Sequence, residues 1–185
     1  MNRRATWMIR KLRGDTRGSI AVEFALVAPV LMIVLAGVID IGSAAYAKLS
    51  LQSRVTTAGE YALMRPVPES QDEFEDLAEK VMGLLQGGAL ETANVVVNNA
   101  VSVEWDGSSS TEPSGTADAE AYYCIGSDGE IAWDLEVERN TSCPSGGVAG
   151  QYVQIYATAG HVSIFPGYAF SDGDTVSARA ILRLN

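Results

Sequence analysis

The sequence of 185 residues holds one histidine, His161, and two cysteines, Cys124 and Cys143. That poverty excludes much chemistry. A Ser-His-Asp site would need this one imidazole to meet an acid and a serine that no motif marks. A structural zinc site needs more ligands than two cysteines and a distant histidine. No catalytic residue, no metal and no cofactor are therefore expected, and His161 reads as structural. Basic residues are scarce in the body of the chain: from Gln71 to Glu138, Lys80 is alone among sixteen acids. Such a surface repels a phosphate backbone, so no nucleic-acid partner is expected. Nothing marks a small-molecule substrate site.

The formal net charge of -10 is divided unevenly. Arg3, Arg4, Arg10, Lys11, Arg13 and Arg17 precede Ser19 against one acid, Asp15; the leader is +5 and the remainder -15. Between them lies a long apolar run. Ile20 to Ile39 is twenty residues with Glu23 the only charge. At ~1.5 Å per residue it spans roughly 30 Å, the thickness of a bilayer core. The basic flank then places Met1 in the cytoplasm and the acidic body across the membrane. A cleaved secretory signal is the rival reading, with "IGSAAYA" (41–47) supplying small residues, but its apolar core would be shorter. Pro29 lies inside the run. It lacks an N–H and crowds the carbonyl of Ala25, so a helix kink is expected there. Asp40, at the outer end, is expected to snorkel or face interfacial water.

Apolar patterning continues beyond the membrane. Leu51, Val55, Ala58 and Ala62 fall on one helical stripe, and Pro66 and Pro68 stop the helix. The stripe needs a domain to cover it. In "SQDEFEDLAEKVMGLLQ" (70–86), Phe74, Leu77, Val81, Leu84 and Leu85 share one side, and Ser70 with Glu73 fits a capping box. Alternation follows. Strands are expected in "NVVVNNAVSVEW" (Val95, Val97, Val101, Val103 and Trp105 inward), "AWDLEVE" (Trp133, Leu135 and Val137 inward), "YVQIYATAG" (Val153, Ile155 and Ala157 inward) and "TVSARAILRL" (Val176 to Leu184, Arg179 and Arg183 outward). "AYYCI" (121–125) reads as another, and "DGSSSTEPSGTAD" (106–118) as a loop. "SDGE" (127–130) and "SDGD" (171–174) read as turns before calcium sites. "NTS" at Asn140 matches a glycosylation sequon by letter only. The expected fold class is α+β: a long transmembrane N-terminal helix on an antiparallel sheet, with a second helix. Its divisions are 1–18 (cytoplasmic leader), 19–66 (helix) and 67–185 (exported domain).

Cys124 and Cys143, the only pair in an exported domain, are expected to form a disulfide. Closing a loop of about 20 residues contributes on the order of 3 kcal/mol by chain entropy. Because the two flank "AWDLEVE", the bridge is expected to clamp one end of the sheet.

Glu23 remains. An unpaired carboxylate in hydrocarbon costs roughly 2.5–3.5 kcal/mol or more. Its context is Arg17-Gly18, then Ser19-Ile20-Ala21-Val22-Glu23-Phe24. A basic leader ending in Gly, then Glu at the fifth place of an apolar helix, resembles the class III signal of type IV pilins and pseudopilins. More narrowly, "RGSIAVEFALVAPVL" and "GVIDIGSAAYAKLSLQSRVTTAGEYALMR" resemble the TadE/TadF-like minor pseudopilins of the tight-adherence (Tad, Flp or type IVc) pilus system, over about Arg17 to Arg65. "VSARAILRL" near the C-terminus is also similar. The resemblance implies a pilin-like fold and cleavage by a prepilin peptidase between Gly18 and Ser19. It implies that Glu23 is the assembly carboxylate, set against the new amine of a neighbouring subunit; opposite charges at low dielectric lower each other's burial cost. The implied partners are the inner membrane, the prepilin peptidase, the major Flp-type pilin and other TadE/TadF-like subunits. The implied role is filament initiation or tip assembly for adhesion and biofilm formation. The alternative is an uncleaved, membrane-anchored periplasmic binding or sensory module, which has no need of Glu23.

Overall fold

The computed structural model describes residues 19–116, 118–161, 163 and 175–184. Helices α1 (Ser19–Met64) and α2 (Gln71–Leu85) precede strands β1 (Leu90–Val97), β2 (Val101–Trp105), β3 (Gln151–Gly160) and β4 (Thr175–Leu184). The strands form one antiparallel sheet in the order β2-β1-β3-β4. The fold is α+β, as the patterning implied.

Both helices pack on one face of the sheet. The stripe on α1 is fully used: Leu51, Val55, Ala58 and Ala62 are buried. From α2, Phe74, Leu77, Ala78, Val81, Met82 and Leu85 join them. Leu84, expected on this side, is exposed; Ala78 and Met82 shift the centre of the stripe and leave Leu84 beyond its edge. The capping box also differs from expectation. Ser70 is extended and its carbonyl accepts from Glu73 N and Phe74 N, but its side chain makes no capping bond. The Glu73 carboxylate instead accepts from the Glu69 N–H at 2.8 Å, one residue further out. At the other end of α2, Arg54 of α1 donates to the Gly87 carbonyl. A cation there complements the negative end of the helix dipole. Gly88 has φ +61, and a Cβ on it would lie 2.4 Å from Arg54 Nη2. Glycine lets the guanidinium close over the helix end.

The sheet alternates as period-2 patterning requires. Val95, Val97, Val101, Val103, Val153, Ile155 and Ala157 face the helices and are buried. The β1–β2 turn carries Asn98 and Asn99 at positive φ, 50° and 56°, a conformation Asn tolerates. Asn98 is also buried, and its amide donates to the carbonyls of Asp118 (3.3 Å) and Ala121 (3.0 Å). One polar side chain thus ties the turn to the long β2–β3 connection.

That connection departs from the expected strands. "AYYCI" and "AWDLEVE" do not join the sheet. They meet through isolated bridges, Tyr122 to Val137 and Ile125 to Ile131, with Tyr123 bridged to Gly150. Leu135, expected inward, is 61% exposed, while Ile131 is buried. The alternation was real, but β3 already has β1 and β4 as neighbours. The segment therefore lies over the outer face of the sheet. Cys124 and Cys143 are joined, with Cα atoms 5.4 Å apart. The bridge closes this overlying layer on itself and does not clamp a sheet strand, as had been expected.

The first part of the connection seals the β2 edge. Ser102 and Ser114 exchange backbone hydrogen bonds, and Thr111 N donates to Glu104 O. The turn that starts it is held by Asp106, whose carboxylate accepts from Ser108 N, Ser108 Oγ and Ser109 N. These donors, the Ser109 backbone first, hold the Asp106 carboxyl down at about 2. A depressed carboxyl stabilises the fold fully above its unfolded value, ~3.9, and loses that contribution as pH falls through the folded value. Protection of the Ser108 and Ser109 amides, measured against the intrinsic exchange rate at each pH, should therefore hold at pH 5 and fall between about pH 4 and pH 2. Asp106→Asn should remove that pH step.

Candidate functional site

The residues singled out in the sequence lie in two separate places. Gly18 lies outside the described residues, and Ser19 is the first residue of α1. Glu23 follows one turn later on an exposed stretch. Among the described residues it makes no ion pair. Cys124 and Cys143 lie in the layer over the sheet, in the other half of the molecule. Among the described residues, no group of three His, Cys, Asp or Glu is placed to hold a metal ion. "SDGE" is a turn: Gly129 has φ +82, and Asp128 accepts from Glu130 N. "SDGD" lies outside the described residues.

α1 is the element that can act. Its 46 residues give about 70 Å of helix. It is apolar and long enough to cross a membrane, and the most apolar window is unburied by the rest of the chain. Phe24, Leu31 and Met32 are each more than 60% exposed. In water such a surface would be costly, at roughly 25 cal/mol per Å²; in lipid it is the favourable state. The helix runs unbroken through Pro29.

Asp40 closes this segment. It is half-buried, and Ser163, just beyond β3, donates to its Oδ2 at 3.3 Å. Ser43 Oγ donates to the Asp40 carbonyl at 2.8 Å. The carboxylate is therefore engaged by the domain rather than left to water alone. This contact also orients the sheet. Ser163 follows the end of β3 at Gly160 and meets α1 at Asp40. Arg54 meets Gly87, just before β1. Further along α1, Gly59 faces Leu182 near the end of β4. The end of β3 and the start of β1 thus lie toward the apolar segment, and the β1–β2 turn and the start of β3 lie away from it.

Sequence reasoning missed Arg54, Gly59 and Asn98. Arg54 carries no signal that sets it apart from Lys48 and Glu60, the other charges of this stretch. Gly59 had a signal: a glycine inside a helical stripe marks close approach. The paired asparagines at 98 and 99 were a turn signal within a run read as strand.

Residues 18–59 match the family model described as TadE-like protein. Over this helix, the chain is similar to TadE-like proteins. The match begins at Gly18, just outside the described residues, and ends at the Gly59 contact with the sheet. It takes in the apolar segment, Glu23, Pro29, Asp40 and three of the four residues of the docking stripe. It supports a component associated with the Tad pilus machinery. No curated protein and no solved structure matches the chain.

The TadE-like helix docks through small residues. Ala58, Gly59 and Ala62 lie where α1 crosses the sheet, and a Cβ on Gly59 would sit 2.7 Å from Leu182 Cδ1. The obstacle is the end of a flexible side chain, so Gly59→Ala should be tolerated within about 1 kcal/mol, helix propensity offsetting the contact. Gly59→Ile should cost about 1–3 kcal/mol through overpacking. Urea unfolding of both variants would measure the difference; equal stability would mean α1 does not sit this close to β4.

Proposed function

We propose that the protein is a minor pseudopilin, an assembly subunit of a Tad-type pilus without catalytic activity of its own. A prepilin peptidase cuts between Gly18 and Ser19 on the cytoplasmic side. The apolar half of α1 stays in the inner membrane with the domain in the periplasm, and leaves it when the subunit is drawn into the filament. The protein acts in filament initiation or at the tip, in adhesion and biofilm formation. The domain makes it far larger than a subunit consisting only of the helix, which suits a minor component. Its partners are the peptidase, the major Flp-type pilin and other TadE/TadF-like subunits.

One observation carries this reading: the TadE-like match runs from Gly18 through the apolar run that carries Glu23. A signal that is cut and yet leaves its helix in place needs the cut residue and the apolar helix to adjoin. The charge logic supports it. Cleavage would create an ammonium at Ser19 one turn from Glu23. Uncut, the chain offers Glu23 no cation among the described residues; after cleavage, a neighbouring subunit would bring its amine within reach as well. Opposite charges paired in a low dielectric offset much of each other's desolvation cost.

The mass of the N-terminal peptide from purified membranes decides the processing. With the peptidase present it should begin at Ser19, and without it at Met1. Met1 in both samples would leave an ordinary anchor, and a start beyond Tyr46 would mean a secretory signal. For the carboxylate, Glu23→Ala should reduce assembled filaments roughly tenfold or more, since a buried charge left without its partner is strongly unfavourable. Thermal unfolding of the domain should change by no more than about 0.5 kcal/mol, as for other exposed positions. Normal filament yield would remove the counter-charge role.

A further inference from the structure

The two faces of the sheet are held by different means. The helix-side core gathers α1, α2 and all four strands, with Phe74, Val95 and Ile155 wholly buried. The outer-face cluster is small: Ala121, Tyr123, Ile131 and Tyr152, flanked by Ile125, Trp133 and Ile181. Only Tyr152 and Ile181 of these belong to the sheet. The rest come from residues 121–150, which contain no strand beyond isolated bridges. Polar contacts fasten this layer at separate points. Trp133 Nε1 donates to Gln154 Oε1 at 3.0 Å, Asn99 to the Trp133 carbonyl at 3.0 Å, Asn98 to the Ala121 carbonyl at 3.0 Å and Arg183 to the Ala149 carbonyl at 3.2 Å, and Tyr123 and Gly150 exchange backbone hydrogen bonds. Glu130 pairs with Arg179 on the surface. Exposed pairs of this kind contribute little. Crossing the middle of the layer is the Cys124–Cys143 bridge, a sequence separation of 19.

The layer also has a place. It packs on Tyr152 and Arg183, at the end of the sheet away from Asp40 and the apolar segment. It therefore forms the membrane-distal surface of the domain.

We infer that the cystine is a redox-conditional lock for this distal layer alone. With Cys124–Cys143 oxidised, residues 121–150 hold the distal face; with it reduced, they unfold from the sheet while the helix-side core stays folded. A subunit whose thiols are not yet oxidised is thus anchored and docked on its helix but lacks its distal surface. The chemistry is thiol–disulfide exchange. A dithiol attacks one cystine sulfur as thiolate, its second thiol resolves the mixed disulfide, and Cys124 and Cys143 are released as two thiols. The two electrons come from the dithiol, which becomes a disulfide; the reverse reaction with a disulfide donor sets the lock. The physical basis is that the crosslink removes chain entropy from the open state of this loop, while the core spans elements that it does not link.

Hydrogen exchange by mass spectrometry on the full chain in detergent tests this, with and without dithiothreitol. On reduction, peptides within 121–150 should exchange about a hundredfold faster. Peptides in α2, β1 and β3 should keep their protection. The double variant Cys124→Ser/Cys143→Ser, without reductant, should give the same pattern, which separates the bridge from side effects of the reagent. Retained protection in 121–150 would show that the layer stands without the bridge. Loss of protection across the whole domain would show that the bridge supports the entire fold. Either result overturns the inference, and neither bears on pilus assembly.

Discussion

The contact between the second half of α1 and the inner face of the sheet is the constraint on which the rest depends. Leu51, Val55, Ala58 and Ala62 are buried there, and Gly59 meets Leu182. Small residues let a helix approach a sheet closely, so dispersion contacts form along its length. Because α1 is continuous from Ser19 to Met64, this contact fixes the direction of the apolar segment relative to the domain. Arg54 at the end of α2 and Ser163 at Asp40 lie along the same helix and repeat that alignment. A hinge between anchor and domain would need a break that the helix does not have.

From this arrangement follows an asymmetry of the two faces. The helix side is a wide apolar core assembled from elements distant in sequence. The outer side is polar over Asn94, Glu104 and Thr158, and is covered only where the crosslinked layer lies. The acids of this body are mostly on the surface. The sharpest local electrostatic effects arise from fixed donors: the Asp106 turn, and Glu130, whose carboxyl Arg179 holds below the ordinary range. Net negative charge here is a solvated exterior, while the apolar half of α1 carries few charges.

The TadE-like match and the structure divide the molecule similarly. The match covers the membrane segment and most of the docking stripe and ends at Gly59. Beyond it, α2, the sheet and the distal layer carry the individuality of this chain.

The helices, the docking stripe and the inward residues of β1, β2, β3 and β4 were legible from the sequence, because each rests on a local period that burial enforces. So was the oxidised pair, since two cysteines in one domain that reads as exported leave few alternatives. The β1–β2 turn was half-legible, since its asparagines sat inside an apolar run. "AWDLEVE" was misread although its alternation is clean. Period-2 patterning says that one side of a segment faces apolar surroundings, but not whether a sheet has room for another strand. Here the segment packs over the outer face of β3, with Trp133 donating to Gln154, and leaves Leu135 in solvent. The reach of Arg54, the Asn98 tie and the engagement of Asp40 by Ser163 bridge residues far apart in the chain. By itself the sequence determined which segments are helical or extended and which side each buries. The tertiary structure alone decided which of them meet, because those contacts depend on how whole elements fill one another's surfaces and not on any local repeat.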